Sequence, residues 1–271
     1  EVSGAPMSKR VRADELLVAR GLAESRSRAR AMIMAGAVRS GDRVIDKPGT
    51  LLPPDAPLDL RERPRFVSRG GEKLDWALEQ FALDVRDCVC ADFGASTGGF
   101  TDVLLQRGAA RVYAIDVGYG QLDYRLRQDP RVVVLDRTNV RYLESLPEPI
   151  DIVTIDVSFI SLALVLPAAL RVLKPDGSCV ALIKPQFEAG REKVGKGGVV
   201  RDPRVHREVL RRVLTDAQAL GFTVRGLTPS PIRGPAGNVE FLVWLSREGG
   251  EEVDPEPLID AAMAALGGET R

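Results

Sequence analysis

Between residues 89 and 184 five short apolar runs, "VCADF", "RVYAID", "RVVVLD", "DIVTID" and "SCVALIK", each carry a charged residue at or near their end. Runs this short and this continuously apolar read as parallel strands buried on both faces. Helical patterns separate several of them, notably at 99–107 and 161–173, and Pro175-Asp176-Gly177 reads as a turn into the fifth. A long helical pattern near 203–220 and two further strands, "FTVRGLTPS" and "NVEFLVWLS", follow. Parallel strands require crossovers, so this part of the chain is a doubly wound α/β domain. Ligands of such sheets gather beyond the carboxyl ends of the strands, where these charged residues lie.

The first run passes directly into glycines, in "ADFGASTGGF" at 91–100. A nicotinamide fingerprint fails because Gly94 is followed two positions later by Ser96, and a P-loop fails for want of a lysine. What remains is a carboxylate, Asp92, ahead of Gly94, Ser96, Thr97, Gly98 and Gly99, with the glycines opening a helix. The carboxylate suits a ligand ammonium, and free N–H groups at the helix start suit a ligand carboxylate. S-adenosylmethionine carries both. The next strand ends at Asp116, 22 residues after Gly94, where an acid can accept ribose hydroxyls. Asn139, in "LDRTN", is placed to meet the adenine. The bland alternative is a tight strand-to-helix turn with no ligand.

Three more charges occupy expensive positions: Asp156 ends the fourth strand, Lys184 ends the fifth, and Glu240 lies near the start of the last. If the fourth and fifth strands are neighbours and the last runs antiparallel beside the fifth, a strand spacing of about 4.8 Å gathers all three at one sheet edge. That arrangement suits catalysis, though a structural ion pair would use the same residues. The single histidine, His206, sits in a polar helical stretch and reads as a surface residue.

Net charge is zero overall but unevenly spread: residues 7–67 carry 13 Lys+Arg against 8 Asp+Glu, whereas 68–271 carry 25 against 29. A basic module on an acidic body points to a polyanionic partner held at one end. Within it, "ADELLVARG" and "SRSRARAMIMAG" read as helices, the second capped by Ser25 and ended by Gly36, and "AVRSGDRVID" reads as a hairpin turning at Gly41-Asp42. Ten basic residues between Lys9 and Lys47 form either a phosphate-binding surface or a solvated helix face. The proline-rich "LLPPDAPLDLRERPRF" marks the domain boundary, with 7–62 as the small domain, 63–67 as linker and 68–271 as the large domain. "EVSGAP" before Met7 reads as a cloning remnant. Cys88, Cys90 and Cys179 are too few and too poorly spaced for a zinc site or a disulfide framework, and read as reduced core residues of a cytoplasmic protein. No metal site is expected, and no apolar run is long enough to span a bilayer.

Together "SRGGEKL", "DFGASTGGFTDVLL", "DVGYGQL", "DVSFIS", "LIKPQFE", "VGKGGVVRDP" and "GNVEFLVWL" resemble the TlyA family, the haemolysin A-like ribosomal RNA 2′-O-methyltransferases, over nearly all of 8–247. The large domain thus resembles an FtsJ-like, Rossmann-like class I methyltransferase with a seven-stranded sheet whose last strand is antiparallel. The basic module resembles the small α+β RNA-binding fold first seen in ribosomal small-subunit protein S-four. The resemblance implies methyl transfer from S-adenosylmethionine to a cytidine 2′-hydroxyl in 16S or 23S rRNA, or both. It also implies a catalytic tetrad of Lys73, Asp156, Lys184 and Glu240. Lys73 enters only through the resemblance, since by itself it reads as a surface helix lysine. Either Lys184 deprotonates the hydroxyl, or it stays protonated and orients the oxygen while Asp156 takes the proton. Arg10, Arg12, Arg26 and Lys47 are the implied RNA contacts. The linker "RPRFV", with Arg65 and Phe66, is expected to couple RNA docking to the catalytic domain. The loop 189–201, with Arg191, Lys193 and Lys196, either covers the substrate or is simply mobile. No obligate protein partner is expected. Two other readings stay open: a membrane-active haemolysin, and a non-catalytic ribosome assembly factor.

Overall fold

The structure, a computed structural model, describes residues 9–61, 65–250 and 252–267. The "EVSGAP" segment and the first two residues of the expected linker, 63–64, lie outside the described residues. The chain divides into two compact units, 1–65 and 66–271.

In the first unit the order is β1 (Val11–Arg12), α1 (Ala13–Ala19), α2 (Arg26–Met34), β2 (Val38–Ser40), β3 (Arg43–Val44), β4 (Leu51–Leu52) and β5 (Asp59–Leu60). Ser25 caps α2 by accepting from the Arg28 N–H at 3.1 Å, which satisfies one of the orphan donors of the first turn. Gly36, at φ +73°, takes the left-handed conformation that ends this helix. The pairs Arg39–Val44 and Ser40–Arg43 leave Gly41-Asp42 as a two-residue hairpin turn, as expected from the sequence. The proline-rich stretch differs from expectation: β5 pairs with β2 and completes the small sheet. Leu17, Ile33, Val38 and Ile45 are buried between the helices and the strands.

The second unit contains, in order, α3 (Gly70–Phe81), β6 (Val89–Phe93), α4 (Gly99–Gln106), β7 (Arg111–Ile115), α5 (Tyr124–Arg127), β8 (Val132–Leu135), β9 (Ile150–Ile155), α6 (Leu162–Val172), β10 (Leu173–Ile183), α7 (Pro185–Glu188), α8 (Pro203–Ala219), β11 (Thr223–Pro229), β12 (Phe241–Ser246) and α9 (Glu256–Gly267). Among the described residues, its seven strands form one sheet in the order β11-β12-β10-β9-β6-β7-β8. Strand β12 runs antiparallel to both neighbours, and the other pairings are parallel. Alternate residues serve opposite faces, as the pleat demands. Ala91 and Phe93 pack with α6, α8 and α9, whereas Cys90 and its neighbours pack with α3 and α4. The chain leaves β6 toward β7 and β8, then returns on the other side with β9. The crevice between β6 and β9 is therefore the topological switch point.

Three expectations need correction. His206 is buried, with Nε2 2.9 Å from the Val200 carbonyl oxygen and its ring edge toward Phe241. The reason is its phase: with Val209, Leu210, Val213 and Ala217 it falls on the inward stripe of α8. Phe66 and Val67 do not act as linker. Phe66 is buried in the core of the second unit, and the Val67 N–H donates to Asp102 Oδ2 at 2.9 Å. Finally, Pro175-Asp176-Gly177 lies within β10, where the pairing with β9 shifts register between Leu173 and Ser178.

Candidate active site

The site is built at the switch point. Gly94 follows β6 at φ +81°, and a Cβ there would lie 2.1 Å from the Asp156 carbonyl oxygen. Only glycine tolerates that φ and that approach, so the β6 and β9 ends close to backbone contact. The Asp156 N–H in turn donates to the Phe93 carbonyl at 3.0 Å. This crossing anchors two adjoining cavities that share Gly94, Ser96 and Asp156.

The first cavity, about 300 Å³, is walled by Ile115, Val117, Val140, Ile160 and Val165, with Asp116, Thr138 and Asn139 as polar groups. Asp116 Oδ2 accepts from the Ser96 N–H at 2.8 Å, and Oδ1 accepts from the Gly118 N–H at 2.8 Å. Each carboxylate oxygen retains a second lone pair for a ligand hydroxyl. Asn139 Oδ1 accepts from the Arg141 N–H at 3.1 Å. Apolar walls flanked by a diol acceptor and an amide fit a purine nucleoside, so these residues fit the adenosine half of S-adenosylmethionine.

The second cavity, about 410 Å³, is lined by the glycine loop through Thr97 and Gly99, and by Lys73, Asp156, Lys184 and Glu240 together. The four form two ion pairs. Lys184 Nζ lies 2.5 Å from Asp156 Oδ1, and Lys73 Nζ lies 2.6 Å from Glu240 Oε1. Side-chain exposures are 11% for Lys184 and 26% for Asp156, against 10% for Lys73 and 0% for Glu240. The Lys184–Asp156 pair is therefore the one open to a substrate. The fifth strand meets β12 with Ile183 opposite Phe241, which puts Lys184 and Glu240 next to each other at that edge. Lys73 is not a surface lysine: it lies on the inward stripe of α3 with Leu74, Ala77 and Leu78.

Two residues of the expected cofactor set, Asp92 in β6 and Gly98 in the glycine loop, take other roles. Asp92 is fully buried and lines neither cavity. It accepts from Thr101 Oγ1 at 2.7 Å and Thr154 Oγ1 at 3.2 Å, and burial pushes its carboxyl up to about 7. The expected ammonium contact is overturned by the pleat, which turns Asp92 toward α4 and away from the crevice. Gly98, at φ +104°, also lines neither cavity: a Cβ there would meet Leu126 Cδ1 at 2.3 Å, so it is a packing glycine.

Several neighbours of the tetrad carry no periodic signal in the sequence. Ser158 Oγ accepts from Lys184 Nζ at 3.1 Å, and Gln186 Nε2 donates to the second oxygen of Glu240 at 3.0 Å. Their adjacency to Asp156 and Lys184 in "DVSF" and "KPQF" was the available clue. The loop 189–201 is tied down at its far end. Asn238 is buried, accepts from the Val200 N–H at 3.0 Å and donates to the Gly198 carbonyl at 3.0 Å. Lys193 pairs with Glu208 at 2.6 Å. Among the described residues no cluster of His, Cys, Asp and Glu could hold a metal ion, and no helix is long and apolar enough to cross a membrane.

In the first unit Arg10, Lys47 and Arg65 are exposed. Arg12 and Arg26 are engaged with carboxylates: Arg12 Nη2 lies 3.0 Å from Asp14 Oδ2, and Arg26 Nη2 lies 3.1 Å from Glu15 Oε1. Arg20 instead donates to the Ala56 and Pro54 carbonyls, both at 2.6 Å, and pins the proline-rich segment.

The FtsJ-like methyltransferase model matches residues 66–247, and the S4 domain model matches residues 11–57. The 16S/23S rRNA (cytidine-2′-O)-methyltransferase TlyA of Mycobacterium tuberculosis is 48% identical over 265 residues, covering 96% of this chain and 98% of the relative. YqxC of Bacillus subtilis is 51% identical over 263 residues, covering 93% and 92%. A solved structure from Streptococcus thermophilus, labelled a hemolysin, superposes with a TM-score of 0.76 at 45% identity and covers 97% of each chain. With an S4 domain ahead of an FtsJ-like methyltransferase domain and relatives about half identical over almost its whole length, the chain belongs to the TlyA family of FtsJ-like methyltransferases.

Proposed function

We propose that this protein transfers a methyl group from S-adenosylmethionine to the 2′-hydroxyl of a cytidine in ribosomal RNA, of the small subunit, the large subunit or both. The observation that carries the reading is the second cavity, where the Lys184–Asp156 pair opens beside a nucleoside-shaped cavity and shares Gly94, Ser96 and Asp156 with it. When bound, S-adenosylmethionine supplies a methyl already activated by its positively charged sulfur, which departs as a neutral thioether. The protein's task is then alignment and proton removal.

Asp116 and Asn139 hold the nucleoside, and the loop from Gly94 to Gly99 receives the methionine end. Lys184, fixed by Asp156 and Ser158, directs an N–H at the ribose oxygen. As the new O–C bond forms, the hydroxyl proton becomes strongly acidic, so a carboxylate suffices to accept it. Asp156, the more exposed partner, takes that proton. Lys73 and Glu240 form the back wall and keep the cavity's charge balanced. The S4 domain supplies the RNA contacts through Arg10, Arg12, Arg26 and Lys47, with Arg65 at the boundary between the units.

The test is transfer of a tritiated methyl group to purified ribosomal subunits, followed by mapping of 2′-O-methylation. Lys184→Ala is expected to lower transfer at least a hundredfold, as loss of a positioned acid-base group does, while cofactor affinity stays within a few-fold. Turnover retained by Lys184→Ala would refute the role of the pair. Methyl transfer to no ribosomal RNA would refute the substrate.

A further inference from the structure

Two basic side chains of the first unit, Arg12 and Arg26, converge on one carboxylate. Asp14, in the first turn of α1, has a fully buried side chain. Arg12 forks onto it, Nε to Oδ1 and Nη2 to Oδ2, both at 3.0 Å, and Arg26 Nε reaches Oδ2 at 3.4 Å. The Asp14 N–H donates to the Pro48 carbonyl at 3.1 Å, and the Ala13 N–H donates to the Thr50 carbonyl at 2.8 Å. The Thr50 N–H closes the turn on the Lys47 carbonyl at 3.0 Å. Gly49 sits where a Cβ would be 3.3 Å from Arg12 Nη1, so the turn packs directly against the guanidinium. The neighbouring Arg12, Arg26 from the next helix and the turn at 47–50 thus meet at residue 14.

This hub contributes geometry rather than net charge. Arg12 and Arg26 are balanced by Asp14 and Glu15, so long-range attraction for a polyanion falls to the other basic residues, among them Lys9, Arg10, Arg28, Arg30 and Lys47. A guanidinium that spends one edge on a carboxylate keeps further N–H donors for a phosphate. Held in advance, it loses little side-chain freedom when the phosphate arrives. A buried carboxylate stripped of its partners would be costly, which keeps both arginines in place. The Arg12 guanidinium holds the Asp14 carboxyl below the usual range, so the hub is charged throughout the neutral range.

We propose that Asp14 is a positioning residue for RNA binding, which fixes Arg12 and Arg26 as a preset pair for phosphates although its own charge repels the ligand. The inference rests on reading the first unit as the RNA-binding module. It predicts the opposite of simple charge counting.

The experiment measures binding of the full chain to a fluorescein-labelled ribosomal RNA hairpin by anisotropy over a series of KCl concentrations. Wild-type protein must bind with a salt-dependent affinity; failure there refutes the RNA reading itself, before any variant is compared. Asp14→Asn keeps the shape and removes a negative charge, so a mere neutraliser would bind RNA more tightly once replaced. Positioning predicts instead roughly tenfold weaker binding, and a log–log salt slope shallower by about 0.7–0.9 for each phosphate no longer engaged. Asp14→Glu, which keeps the carboxylate, is expected to recover part of the affinity. Unchanged or tighter binding by Asp14→Asn with the wild-type slope overturns the proposal. Thermal unfolding and cofactor binding check that the variants fold. Should Asp14→Asn not fold, Arg12→Lys keeps the charge but cannot fork. Weakened binding by Arg12→Lys then supports the proposal, and wild-type binding overturns it.

Discussion

Replacing Glu240 with leucine tests the least exposed part of the site. Glu240 has no exposed side-chain surface, and Lys73 Nζ lies 2.6 Å from its Oε1. Removing one partner of a buried pair strands the other charge, at a cost of about 3–5 kcal/mol. The half-buried Gln186 amide also loses its acceptor at 3.0 Å, and a lost hydrogen bond adds about 0.5–1.5 kcal/mol. The total, about 5 kcal/mol, corresponds to a fall of roughly 10–20 °C in the midpoint of a domain of this size. Lys73→Met combined with Glu240→Leu removes both charges, and such replacements are often neutral in stability. The double variant should therefore recover about 3–4 kcal/mol relative to Glu240→Leu, leaving the stranded amide as the residual cost. Thermal and urea unfolding of wild type, both single variants and the double variant gives the coupling directly. Strictly additive effects, or a destabilisation below about 1 kcal/mol for Glu240→Leu, would show that the two side chains do not stabilise one another. Neither Glu240→Leu nor the double variant should transfer methyl groups, since both alter the wall of the reacting cavity.

Other perturbations separate packing from binding. Asp92 keeps its proton in the folded state up to about pH 7, because burial opposes its ionisation, whereas the unfolded chain loses it near pH 4. Its contribution is thus complete below the unfolded value and is lost as pH rises toward 7. Asp92→Asn should therefore flatten the dependence of stability on pH across that window, measured by urea unfolding at pH 5 and pH 8, and an unchanged slope would sink the assignment. Gly94→Ala forces a Cβ into the Asp156 carbonyl at a left-handed φ. Because the obstacle is backbone, the variant should lose several kcal/mol along with measurable cofactor binding by calorimetry, and wild-type affinity would show that the β6–β9 crossing relaxes freely.

Much of the molecule was legible because its signals are local. Strand runs, the caps at Ser25 and Gly36, and the hairpin at Gly41-Asp42 each depend on neighbours a few residues away, and all occur as read. Strand-end charges were legible too, because an ionised group at the end of an apolar run has few structural uses. What was not legible depends on phase or on distant segments. The neighbours of His206 in sequence are polar and suggest an outward side chain, but the inward face of α8 includes it. The strand-end position of Asp92 suggests a ligand contact, yet the pleat aims it at Thr101.

By itself, the sequence determined the doubly wound sheet and the small basic module, since hydrophobic period and turn chemistry are properties of contiguous residues, and its motifs carried the resemblance to the family. Tertiary structure alone decided which charges neutralise which. Lys73 meets Glu240 across 167 positions, Lys184 meets Asp156 rather than Glu240, and Arg12 and Arg26 converge on Asp14. Those pairings are set by packing, because the energy of a buried charge depends on what surrounds it in space and not on what adjoins it along the chain.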